Sequence, residues 1–364
     1  MATLTSDLCH LIMLDLRSDT VTLPTESMRD AMARAELGDD SRDRDPTVRR
    51  LEEMAAAMTG KEAALFVASG TMSNLVALLA HTGSGGEVLL DEQSHILRSE
   101  LGGIAQLAGR FHRVVPAHRG ALDADALAEL IAPRLAANKL GTALVCLETT
   151  HNSAGGAVIP LACLDGVRAV AQKASVPVHI DGARLFNAAV ALGVPASAIA
   201  RHANSVGFCI SKGLSAPFGS VLCGSAAFIE RARAYRRMVG GAMRQAGMLA
   251  AAGIVALREM VDRLAEDHAR ALRLADGLEA IDRRLVDPRL VDTNIVMVDL
   301  AGTGAGAAVW AEALAARGLR AGTWSATSLR LVTHRHIDDA AVEQAIATFR
   351  GVYGELVRKP ALAG

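Results

Sequence analysis

A chain of 364 residues is long enough for one large domain with a smaller one beside it. A net charge of −1 offers no basic face to nucleic acid and no polybasic run to a membrane, and 51% hydrophobic content excludes a disordered chain. Aromatic residues make up only 3%, too few for the stacking platforms of single-stranded nucleic-acid binders.

In chain order, the opening MATLTSDLCHLIM has no basic n-region, so residues 1–13 read as an N-terminal extension and not a signal peptide. Asp45 as N-cap, Pro46 at the first helical position and Gly60 past the end punctuate a helix. Short runs rich in Val, Ile and Leu follow at Ala63–Ala68, Glu87–Leu90, Ala143–Leu147, Val176–Ile180 and Val206–Ile210, with helical patterns between most of them. That alternation predicts an α/β layer with a mostly parallel sheet. From Met243 to about Leu278 the pattern is helical for many turns, as in a connector between domains. Its apolar core, Ala246 to Leu257, is too short to span a bilayer. Asn294–Leu300, a helix near Ala307–Arg317, a strand Leu329–Thr333 and a closing helix Asp338–Val357 predict a smaller α+β region. The expected division is a large domain over residues 14–250 and a small one over 251–360. Five cysteines (Cys9, Cys146, Cys163, Cys209, Cys223) with no C-x-x-C pair read as reduced thiols of a cytoplasmic protein.

Three stretches carry chemistry. In SVGFCISKGLSAPFGS a core strand ends on Lys212 among small residues. Read alone, Lys212 is either a lysine snorkelling to the surface or an amine kept partly desolvated to react. In PVHIDGARLFN, Asp181 closes an apolar strand, where open α/β sheets place ligands. A carboxylate there needs a cation, which is either Arg184 or a protonated ring nitrogen that frees Arg184 for a substrate carboxylate. VASGTMSN starts a helix at Gly70 and Thr71, an anion site if anything binds there and otherwise an ordinary turn. AGTGAGAA fits G-x-G-x-x-A at Gly302, Gly304 and Ala307, but no acidic residue stands about twenty positions on, so a Gly-rich turn is the better reading. ETTH and HRH lack helical zinc spacing, and no metal is expected. An amine, a carboxylate and an anion cradle are together what pyridoxal phosphate requires.

The motifs DLRSDTVTLPTESMRDAM, GKEAALFVASGTMSN, DEQSHI, LETTHNSAGG, HIDGARLFNAAVALGV, SKGLSAPFGSVLCGS, GGAMRQAGMLAAAG and LRLVTH make the chain similar to the low-specificity L-threonine aldolases. These form part of the β-eliminating-lyase branch of the fold-type I pyridoxal-phosphate enzymes. The resemblance runs from Leu14 to about Val357. It implies an aldolase cleaving L-threonine, L-allo-threonine or a related L-β-hydroxy-α-amino acid into glycine and an aldehyde. It also implies that Lys212 forms the Schiff base, Asp181 binds the pyridinium nitrogen, and His95 stacks on the ring near the reacting hydroxyl as candidate base. Gly70 and Thr71 would hold the phosphate, with Arg244 reaching it from a neighbouring subunit of a homodimer or homotetramer, while Ser18, Arg184 and Arg330 would bind the substrate carboxylate.

The sequence departs from this pattern in three places. Arg42, Asp43 and Arg44 stand at a usual Tyr-Gly-Glu, Ser99 stands where an aromatic is usual, and Asn138 aligns with a second histidine. Either Arg42 and Arg44 are a solvated loop neutralised by Asp43 and Asp45, or the pocket has exchanged an apolar wall for positive charge and favours 3-hydroxyaspartate over phenylserine. Two other readings keep the cofactor: β-elimination or racemisation of the same substrates, and a non-enzymatic binding protein.

Overall fold

The computed structural model describes residues 13–82, 86–132 and 140–357. Its main sheet has seven strands: β1 (Ala63–Val67), β2 (Glu87–Leu90), β3 (Phe111–Val114), β4 (Thr142–Glu148), β5 (Val178–Asp181), β6 (Ser205–Cys209) and β7 (Ser220–Gly224). They lie in the order β1-β7-β6-β5-β4-β2-β3. Only β7 runs antiparallel to its neighbours. All seven residues of β4 are buried, as a strand covered on both faces requires. At the edge, β3 (FHRV) is exposed along its whole length, and nothing in its pattern marked it as a strand.

The helix Pro46–Thr59 forms as its punctuation predicts, with Gly60 left-handed at its end. Asp45 does more than cap it. Its carboxylate accepts the N–H groups of Thr47 and Val48, and also those of Gly38 and Gly247, so one buried side chain ties three segments together. Met243–Leu278 is not one long helix. It divides into Gly247–Glu259 and Leu264–Glu279, and the turn between them lets Leu264 pack against the backbone at Gly213, where a Cβ would lie 2.9 Å from Leu264 Cδ2.

A second core gathers Trp310, Phe349, Leu274 and Leu278 around a three-stranded antiparallel sheet. Leu14 and Leu16 belong to this core, because Leu14–Asp15 pairs with Leu319–Arg320. The N-terminal segment therefore crosses from the second core to the first and carries Ser18 and Asp19 between them. The Gly302–Gly306 stretch is a turn, and the Ala307 amide that opens the next helix is already bonded to the Ala326 carbonyl.

Candidate active site

The carboxyl ends of β1, β2, β4, β5 and β6 lead directly to Gly70, His95, Glu148, Asp181 and Lys212. Lys212 sits in a turn whose backbone is fixed: its carbonyl accepts the Ser215 N–H at 2.8 Å and the Thr22 hydroxyl at 3.2 Å. The side chain is half-buried, and its ammonium has no hydrogen bond or ion pair among the described residues. Small residues on the sheet let the helix Gly70–Thr82 lie close. A Cβ on Gly207 would strike Ser73 Oγ at 2.3 Å, and one on Gly70 would strike Cys209 Sγ at 2.9 Å. The helix start is thus seated beside the strand that leads to Lys212. At that start the Gly70 and Thr71 amides have no backbone acceptor among the described residues, while Ser69 Oγ takes the Met72 N–H.

Asp181 is buried at the end of β5, with Oδ1 accepting the Ala183 N–H at 3.0 Å and Oδ2 accepting Asn74 Nδ2 at 2.8 Å. It is not paired with Arg184. The second hydrogen of the Asn74 amide goes to Glu100 Oε1 at 2.8 Å, so the Asn74 carbonyl must accept from His179 Nε2, 3.1 Å away. His179 Nδ1 then accepts the Ser205 hydroxyl at 2.8 Å, and Ser205 in turn accepts His81 Nε2 at 2.7 Å. Burial lowers His179 to about 4 and His81 to about 3, so both rings are neutral and the assignment is consistent. Every donor in this chain points toward Asp181.

Arg184 meets Asp19 in a buried two-point pair, Nε to Oδ2 and Nη2 to Oδ1, both at 2.7 Å. Burial acts to raise the Asp19 pKa, but the charge and hydrogen bonds of Arg184, the Lys212 charge and the Asn294 amide outweigh it and hold the group well below the carboxylate range. Ser18, next in the chain, caps the 3-10 turn by accepting the Thr20 N–H. Arg330 donates to Asn152 Oδ1 at 2.8 Å, lies 4.9 Å from the Trp324 ring centre, and has a buried Nε without a partner among the described residues. Burial, with the neighbouring Arg184 charge, lowers Arg330 to about 10. His95 donates its amide to Glu148 Oε2 at 2.6 Å, and its Nδ1 lies 2.9 Å from Glu100 Oε1. Ligand-type atoms of His95, Glu100 and Asp181 fall within 4.8 Å of one another, but the Asn74 amide threads between the two carboxyl groups.

Residues 15–303 match the family model described as beta-eliminating lyase. The chain belongs to the beta-eliminating lyase family. It is 44% identical over 343 residues to a probable low-specificity L-threonine aldolase 2 of Arabidopsis thaliana, covering 93% of this chain and 97% of that one. It is 39% identical to the low specificity L-threonine aldolase of Escherichia coli K12, covering 93% and 98%. Among solved structures, a Leishmania major threonine aldolase aligns with TM-score 0.78 at 19% identity, covering 93% and 99% of the two chains. That likeness shows the fold, which is the fold-type I architecture.

Within this beta-eliminating lyase, Arg244 is largely exposed, 3.8 Å from Asp39, and makes no hydrogen bond to Gly70 or Thr71 of the same chain. Neither Asp43 nor Asp45 neutralises the neighbouring arginines, which corrects that reading of the loop. Arg44 pairs with the buried Glu52 at 2.6 Å, and the exposed Arg42 lies 3.8 Å from Asp39, while Asp45 is committed to backbone amides. Ser99 is exposed at the end of the short His95–Arg98 helix. Asn138 lies outside the described residues. Asp19, Asn74, Glu100, Glu148 and His179 all belong to the site without having been singled out in the sequence. Only the HID triplet gave a signal, since alternation in a strand buried on both faces puts His179 and Asp181 on one side.

Proposed function

We propose that this chain binds pyridoxal phosphate at Lys212 and cleaves L-threonine, L-allo-threonine or related L-β-hydroxy-α-amino acids between Cα and Cβ to glycine and an aldehyde. The observation that carries the reading is the convergence, at the carboxyl end of the main sheet, of the unpaired Lys212 amine, the buried Asp181 carboxyl and two guanidiniums. The residues fit the cofactor. Asp181 accepts one protein hydrogen bond on each carboxyl oxygen, leaving acceptor capacity for a ring N–H. The helix start at Gly70 and Thr71 offers free amides to a phosphate. Arg184 and Arg330 oppose each other's charge, and a substrate carboxylate would relieve that repulsion.

When bound, pyridoxal phosphate supplies a ring that takes up the electron pair released as the Cα–Cβ bond breaks. Lys212, whose amine has no partner among the described residues, would hold the cofactor. Asp181, backed by the His81–Ser205–His179–Asn74 chain, keeps the proton on the ring nitrogen. Arg184, held by Asp19, and Arg330, held by Asn152, clamp the carboxylate with Ser18 beside them, so that the bond to be broken is oriented. His95, directly or through one water, would accept the β-hydroxyl proton; the O–H pair would become the aldehyde carbonyl as the Cα–Cβ bond breaks, and a proton returned to Cα would complete glycine. A homodimer or homotetramer, with Arg244 reaching a neighbour's phosphate site, accounts for the exposure of Arg244, Leu101, Phe111 and Met238. No helix among the described residues is long and apolar enough to cross a membrane, and four described cysteines are free, in keeping with a cytoplasmic enzyme.

Borohydride reduction of the yellow purified protein, followed by peptide mapping, tests the attachment. The label is expected on Lys212, and a label on Lys61 or Lys173 would overturn the assignment.

A further inference from the structure

We infer that Glu100 is a positioning residue for His95: its carboxylate accepts the Nδ1–H of the imidazole, which fixes the ring and leaves Nε2 as the base facing the substrate. This deepens the aldolase reading above and rests on it.

Three observations support the inference. Glu100 Oε1 is 2.9 Å from His95 Nδ1 and 2.8 Å from Asn74 Nδ2. The Asn74 amide faces two carboxyl groups and is a donor to both, so Oε1 is an acceptor. An Oε1 that already accepts from Asn74 is best matched by a proton on Nδ1, which leaves the free lone pair on Nε2. Second, the His95 backbone is anchored and Glu100 is the one hydrogen-bond partner of its ring among the described residues. The His95 amide is bonded to Glu148 Oε2 at the start of the short helix, and no partner among the described residues holds Nε2. Third, Glu100 is itself held: its side chain is 4% exposed, and Asn74 in turn is braced by His179.

This is the arrangement by which a buried carboxylate sets the tautomer of a general base. The anions facing His95 are Glu100 from its own segment, Glu148 from β4 and Asp181 from β5, with His151 and Asp91 behind Glu148. Their effect on His95 is led by the Glu100 hydrogen bond, which raises its pKa against burial. Burial and the Asp181 charge raise Glu100 as well, while His95 and Asn74 oppose that rise. Removing the Glu100 charge should therefore lower the His95 pKa and carry the acid limb of kcat/KM to lower pH.

The test uses full-length protein labelled with 15N-histidine, with and without pyridoxal phosphate, in the wild type, Glu100→Gln and Glu100→Ala. His95→Gln assigns the ring signals. The wild type should show His95 protonated at Nδ1 when neutral. Glu100→Gln keeps an oxygen of the same shape and should retain that tautomer with a lowered pKa. Glu100→Ala should release the Nε2–H form, and kcat for threonine should fall by about 10- to 1,000-fold while KM changes by less than about threefold. A wild-type ring protonated at Nε2, or ring signals and an acid limb unchanged in both variants, would overturn the role. If Glu100→Ala does not fold, Glu100→Gln decides by its pKa and acid limb. A wild type that makes no glycine from threonine defeats the aldolase reading, while the ring signals still decide the Glu100 bond.

Discussion

Asp181 receives the Ala183 amide and one hydrogen of Asn74, and each leaves it acceptor capacity toward the site. Asp181→Asn keeps the shape and removes the charge that, in the proposed reaction, would retain a proton on the ring nitrogen. Cofactor should stay bound, and kcat should fall by about a hundredfold or more; a near-wild-type kcat would exclude the electron-sink role. His179, two residues before it on the same face of the strand, is held neutral by burial, with its pKa lowered to about 4 from the ordinary 6.5. The unfolded chain therefore binds a proton between those values that the folded chain does not, so this group's contribution is full above about pH 6.5 and is lost as pH falls toward 4. His179→Gln should flatten the pH dependence of unfolding in that window by up to about 1.4 kcal/mol per pH unit, measured in urea. An unchanged slope would mean that His179 is protonated in the fold. Lys212 and Asp181 were legible because a charged residue ends each apolar strand. Glu100 was not, since its partners His95 and Asn74 are five and twenty-six residues away and ordinary in type.

At the scale of elements, Asp45 holds a helix start, the Gly38 loop and the start of the Gly247–Glu259 helix through one carboxylate. Asp45→Ala strands several buried amides. It should cost about 2 kcal/mol or more in unfolding free energy; a loss below about 0.5 kcal/mol would show that solvent or neighbouring groups replace it. The capping signal was plain in Asp45-Pro46, yet the sequence carried no sign of the Gly38 bond, made within an irregular loop, or of the Gly247 bond, which joins positions 202 residues apart. The same limit applies to the helix break near Met260. REMVDRLAE has no glycine or proline to mark a break, and the chain turns there with Leu264 packed against Gly213. The edge strand β3 was hidden for the opposite reason: it buries nothing, so it leaves no alternating pattern.

Across the whole molecule, the N-terminal segment joins the second core and then delivers Asp19 to Arg184, 165 residues along the chain. Asp19, Asn294 and Arg184 meet where the two cores face each other, which is where amino-acid binding is proposed. The exposure of Arg244 and several large apolar side chains argues for subunits that complete one another. Light scattering of the active protein should give at least a dimer, and an Arg244→Ala subunit should regain activity when mixed with a Lys212→Ala subunit. Full activity from a monomer would contradict the shared site. Product analysis with L-threonine separates cleavage from elimination and racemisation. Glycine and acetaldehyde should form in equal amounts, both lost in Lys212→Ala, whereas 2-oxobutyrate with ammonia, or D-threonine, would exclude aldol cleavage.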